Sequence, residues 1–147
     1  MTQKNLADLV TEIASSRRKR SFSPCAFYNA DGDALEVYLS GEEFVARRVD
    51  GFLTFFVSPG STSEVLGFAL KDLKRNLREA DIRWPSNKVL SGAFLLSLAV
   101  YLWERTHAES RRKDGPERRT RESLLELYRE HANERIQFRN PQALVDQ

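Results

Sequence analysis

The segment from Asn87 to about Arg105 sets the hardest condition on how this chain can fold. Phe94, Leu95, Leu96, Leu98, Val100, Tyr101, Leu102 and Trp103 crowd into it, so a helix here is apolar nearly all round. Such a helix must be buried on most sides. Either the rest of the chain surrounds it, or another chain covers what is left. In the second case Phe94, Leu98, Tyr101 and Leu102 are the candidate interface. With 147 residues, there is material for one domain of ordinary size. Hydrophobic residues make up 41% and charged ones 30%, which supplies a core and a heavily charged surface.

Residues 1–24 read as a helix and a basic segment. Leu6, Leu9, Val10 and Ile13 fall on one stripe of a helix from Asn5 to Ser16, and Arg17, Arg18, Lys19 and Arg20 follow. Residues 25–71 switch to a period of two. Leu35, Val37 and Leu39 alternate with Glu36 and Tyr38, and a second run spans Glu43 to Val49. Asp50-Gly51 is a strong hairpin signal, Phe52 to Val57 reads as a central strand, and Val65 to Leu70 as the last. Tight turns cannot join parallel neighbours, so the spacing predicts an antiparallel β-meander of four strands, with Cys25 to Tyr28 as a candidate fifth.

Residues 72–147 read as three helices: Asp72 to Asp81, then Asn87 to Arg105 with Ser86 as N-cap, then Pro116 to about Phe138. On the last, Leu124, Leu127, Tyr128 and His131 form the expected inward stripe. The fold class is therefore α+β, in a single domain covering residues 1–147.

Few residues invite chemistry. Asn29, Asp31 and Asp33 alternate like the start of a calcium loop, but that loop needs Gly at its sixth position and a bidentate Glu at its twelfth. Those positions hold Ala34 and Ser40, so the cluster, with Glu36, reads as a hairpin turn. His107, His131 and the single cysteine, Cys25, are too few for a structural zinc site, which takes about four ligands in spaced pairs. No nucleophile elbow, phosphate-binding glycine loop or zinc-protease motif is present, and neither a catalytic residue, a metal nor a cofactor is implied. A lone cysteine indicates no oxidising compartment. The longest apolar run, Val89 to Trp103, is shorter than the about 20 residues that span a bilayer. The expectation is a cytoplasmic protein that is not an enzyme and uses no membrane.

Basic residues cluster three times. Besides Arg17 to Arg20, there are Arg111, Arg112, Lys113, Arg118, Arg119 and Arg121 around the start of the last helix. Lys71, Lys74, Arg75 and Arg78 fall on one side of the middle helix. Each could neutralise a phosphate. Against this, 23 basic residues face 21 acidic ones, a net charge of only +2, without the uniform field of a dedicated nucleic-acid binder.

Tyr28, Asp33-Ala34-Leu35, Val37 and Leu39 resemble the opening signature of a family of small bacterial domains of unknown function. Its members show a Tyr-Asp pair, then Asp-Ala-Leu-Tyr and alternating aliphatics. Asp50-Gly51-Phe52-Leu53 and Glu64-Val65-Leu66-Gly67-Phe68 resemble the family's later strands. The resemblance covers about Tyr28 to Leu70, with Asn29 and Glu36 departing from the pattern. It implies a β-meander, assigns no catalytic residue, and, since some members are held to be encoded beside toxin genes, implies a regulator or antidote of a partner protein. Together these readings point to a non-catalytic, oligomeric interaction module that binds a protein partner. The alternative is a nucleic-acid-associated protein using the Arg and Lys patches.

Overall fold

The computed structural model describes residues 22–60, 64–107, 116–140 and 142–145. The expected helix from Asn5 to Ser16 lies outside them, as do Arg17 to Arg20 and Arg111 to Lys113. Within them the fold is α+β. Seven strands, β1 (Cys25–Asn29), β2 (Ala34–Tyr38), β3 (Val45–Arg48), β4 (Leu53–Val57), β5 (Val65–Lys71), β6 (Val89–Ser91) and β7 (Arg135–Phe138), form one sheet. The helices are α1 (Leu73–Glu79), α2 (Gly92–Thr106), α3 (Pro116–His131) and the short α4 (Gln142–Val145).

The sheet order is β3-β4-β5-β2-β1-β7-β6. It corrects the expected four- to five-stranded meander in two ways. There are seven strands among the described residues, and the chain does not add them one beside the next. The β1–β2 and β3–β4 hairpins form as the turn residues dictate, but β5 enters between them and pairs antiparallel with both β2 and β4. β7 then pairs parallel with β1, the one parallel pair described, and β6 closes the far edge against β7. A parallel pair needs a long crossover; here the connection from β1 to β7 contains most of the chain.

Alternation assigns the two faces. Ala26, Tyr28, Leu35, Val37, Leu53, Phe55, Phe68, Leu70, Ile136 and Phe138 point to the helices and are all buried in one cluster with them. α2 lies at the centre, burying Leu95, Leu96, Leu98, Ala99, Leu102 and Trp103. Each leucine so removed from water stabilises the fold by about 2 kcal/mol. The helix starts at Gly92 rather than Asn87. Its N-cap is Ser91, whose Oγ accepts a hydrogen bond from the Phe94 N–H (3.0 Å), and not Ser86. α3 stops at His131 rather than Phe138, because Arg135–Phe138 turns back as β7. Leu124 and Leu127 are buried as expected, but Tyr128 is exposed.

Gly92 is required where it stands. Its N–H donates to the Glu134 carbonyl (2.8 Å), and that of Ala93 to the Ala132 carbonyl (2.9 Å), drawing the β6–α2 junction against the end of α3. A Cβ on Gly92 would lie 1.8 Å from the His131 carbonyl oxygen.

Candidate functional site

The acidic turn joins β1 to β2 and serves the fold. Asp33 is in the left-handed region (φ 47°), which Asp tolerates. Its Oδ1 accepts from the Tyr28 hydroxyl (2.6 Å) and the Lys74 N–H (3.2 Å), and its carbonyl from the Leu73 N–H (3.2 Å). It ties the β1–β2 turn to the start of α1. Among the described residues, no group of His, Cys, Asp and Glu is placed to hold a metal.

The histidines lie in separate settings. His131 Nδ1 sits 2.8 Å from Glu134 Oε2, an electrostatic contact without hydrogen-bond geometry. His107 Nε2 lies 3.1 Å from Asp50 Oδ2. The same oxygen accepts from the Trp103 indole (3.0 Å), while Asp50 Oδ1 accepts from the Phe52 and Leu53 N–H groups (both 2.8 Å). Both carboxylate oxygens are thus engaged. This cluster clamps the β3–β4 turn to the end of α2. Cys25 is buried in β1.

Of the expected interface on the long helix, Leu98 and Leu102 are committed to the chain's own core, Leu102 only 1% exposed. Phe94 packs at its border, and Tyr101 stays 48% exposed. Of the expected basic residues, Arg118 pairs with Glu122 (3.2 Å) and Arg121 with Glu104 (3.1 Å), while Arg119 is exposed. Lys71 belongs to β5, not to the middle helix.

The opposite face of the sheet forms a surface that the sequence did not reveal. No described helix covers it. One register row crosses all seven strands: Ala46, Phe56, Gly67, Tyr38, Cys25, Gln137 and Val89. Gly67 leaves a slot in this row; a Cβ there would come 2.3 Å from the Val37 carbonyl oxygen and 3.1 Å from the Phe56 ring. Across the slot Phe56 and Tyr38 stack, with centroids 5.3 Å apart and planes at 11°. Phe44 leans on both rings at 4.6 and 5.8 Å. Phe44 and, in the next row, Phe27 are each 40% exposed.

Charges flank the rings. Arg48, Lys71 and Arg135 occupy positions on this face, and its carboxylate Glu36 is engaged by the Tyr38 hydroxyl and by Asn29. No protein-family model matches this chain, and neither does any curated protein or solved structure.

Burial, the hydrogen bond from Tyr38 to Glu36 and that carboxylate's charge push the Tyr38 phenol well above the usual phenol range. Burial and Asp33 do the same to Tyr28. The folded chain therefore keeps both protons at a pH where the unfolded chain begins to release them, so stability falls as pH rises beyond about 10. Denaturant unfolding followed from neutral pH to about pH 11 should show this decline. Tyr38→Phe should make it shallower; an unchanged slope would contradict the assignment.

Proposed function

We propose that this chain is a non-catalytic protein-interaction module whose contact surface is the sheet face that no described helix covers, acting as regulator or antidote of a partner protein. The observation that carries this reading is the pair of rings Phe27 and Phe44, each 40% exposed, beside the Tyr38–Phe56 stack. Large apolar groups left in water on one face are what a partner covers, and aromatic residues are enriched where interfaces are strongest. The arginines and lysine around them favour a partner with an apolar centre and an acidic rim. The family resemblance over Tyr28 to Leu70 agrees with this role and supplies its regulatory form.

Rings and cations on one sheet face also suit single-stranded nucleic acid, whose bases stack on such platforms. Two observations favour protein. Phe56 is buried and already stacked, which leaves few free ring faces. On α3, Arg118 and Arg121 are matched by glutamates.

A photo-reactive phenylalanine analogue at position 44, compared with one at Tyr101, tests the reading in cells. The expected result is a discrete protein adduct at position 44 alone. The protein so identified, once purified, should bind Phe44→Ser at least about tenfold more weakly than the parent chain. Phe44→Ser should itself cost about 1 kcal/mol, the packing of this ring on Phe56 and Tyr38, and leave the chain folded. An adduct of twice the chain mass would mean that the partner is a second copy. Adducts formed equally at both positions, or crosslinks to nucleic acid in place of protein, would overturn the proposal.

A further inference from the structure

On the helix side, away from the ring platform, a cavity of ≈ 390 Å³ opens between α1, the segment that follows it and α4. That volume suits a small molecule and is too little for a folded partner. The local chain path creates it. Asp81, in the left-handed region (φ 55°), ends α1, and the Ile82 N–H caps it by donating to the Leu77 carbonyl (2.9 Å). The chain is thereby turned back, and Ile82 to Trp84 become one wall. Leu77, Ile82, Trp84 and Leu144 make the lining apolar.

The charges round this lining are one-sided. Lys74, Arg78 and Arg83 contribute three cations, and Asp81 the lone carboxylate. None of the three cations has an ion-pair partner among the described residues, whereas Arg75, on another side of α1, pairs with Asp72 (3.0 Å). Lys74 instead sits 5.5 Å from the centre of the Tyr28 ring. Trp84 forms part of the same wall. Its ring is wedged against Phe94 and Phe138, with centroids 5.9 and 5.5 Å away, and its indole N–H is buried without an acceptor. A buried donor left without an acceptor is costly and uncommon in folded proteins.

We propose that this cavity is a binding site for a small organic anion: an apolar body, seated on Leu77, Trp84 and Leu144, with a carboxylate or phosphate head held by Lys74, Arg78 and Arg83. Arginine suits this task because its planar fork meets both kinds of head group with paired hydrogen bonds. The site stands independently of the sheet-face reading, since it shares no residue with that surface.

The test is calorimetric titration of the full chain with benzoate, N-acetyl-leucine and phenyl phosphate. Inorganic phosphate serves as a bare anion and benzyl alcohol as a neutral body. At least one organic anion should bind one to one, more tightly than either control, and should change tryptophan fluorescence. Binding of the carboxylates alone, or of phenyl phosphate alone, would identify the head group. Arg78→Gln and Arg83→Gln should each weaken it about tenfold, the loss expected for a charged hydrogen bond. Both side chains lie on the surface, so the variants should fold, with unchanged circular dichroism as the check. Phe44→Ser should leave this binding intact, which keeps failure here distinct from failure at the sheet face. Equal binding of inorganic phosphate and phenyl phosphate would mean an adventitious ion only. That result, absence of binding by all three organic anions, or binding indifferent to both arginine variants would overturn the proposal.

Discussion

Gly92→Ala is expected to lower stability by about 3 kcal/mol and the melting temperature by about 10 °C. The added methyl group would meet the His131 carbonyl oxygen at 1.8 Å and its carbon at 2.8 Å. Neither atom can swing aside as a side-chain end could. Relief requires the α2 start and the α3 end to separate, and that stretches the Gly92 to Glu134 and Ala93 to Ala132 hydrogen bonds, the clasp between the β6–α2 junction and the turn into β7. Gly32→Ala is the matched control, since a Cβ there would have no neighbour nearer than 4.0 Å. Thermal melts of the two variants should therefore separate widely. Equal melting temperatures would mean that the close approach at Gly92 does not constrain the fold.

The second large effect is expected at Asp50. Asp50→Ala removes the acceptor for the Phe52 and Leu53 N–H groups and for the Trp103 indole, which is buried. Stranding such donors costs about 1–3 kcal/mol for each that water cannot reach, so a total near 3 kcal/mol is expected. Asp50→Asn should cost less, because one oxygen can still serve the backbone while the amide group opposes the indole. A double-mutant cycle with Trp103→Phe isolates the side-chain bond. Denaturant unfolding that finds the two losses simply additive would show that Asp50 and Trp103 do not act together.

How far the sequence foretold this structure depends on the element. The strands from Leu35 to Leu70 were legible because alternation and turn residues agree, and Asp50-Gly51 does join β3 to β4. Their order was not legible. Turn chemistry speaks only of neighbours in sequence, whereas the placing of β5 between β2 and β4 is decided by which apolar faces meet. β6 was hidden because Val89 and Leu90 run without a break into the apolar helix, and no period separates a short buried strand from a helix start. β7 has only four residues to show its alternation, with Ile136 and Phe138 in and Arg135 and Gln137 out.

The sites followed the same logic. Lys74 and Arg78 were visible as one side of a helix, but nothing indicated that Leu144, far along the chain, would close a cavity over them. The ring platform needs Tyr38, Phe44 and Phe56 from separate segments, and its key residue, Gly67, is marked in sequence only by the absence of a side chain.

Asn140 completes the parallel join at β1. Its side-chain amide accepts from the Tyr28 N–H (2.9 Å) and donates to the Tyr28 carbonyl (2.7 Å), standing in for a peptide group where β7 has ended. The first strand described is thus sealed by a residue 112 positions further along the chain. During synthesis, β1 to β5 can pair while the C-terminal part is still inside the ribosome. β6 cannot: β7 is the strand it pairs with, so β6 and the flank of β1 wait until Arg135–Phe138 has been made. Contacts so distant along the chain also slow folding, because a long loop must close before they form. Until Arg135–Phe138 has been made, the backbone edge of β1 that takes β7 stays open.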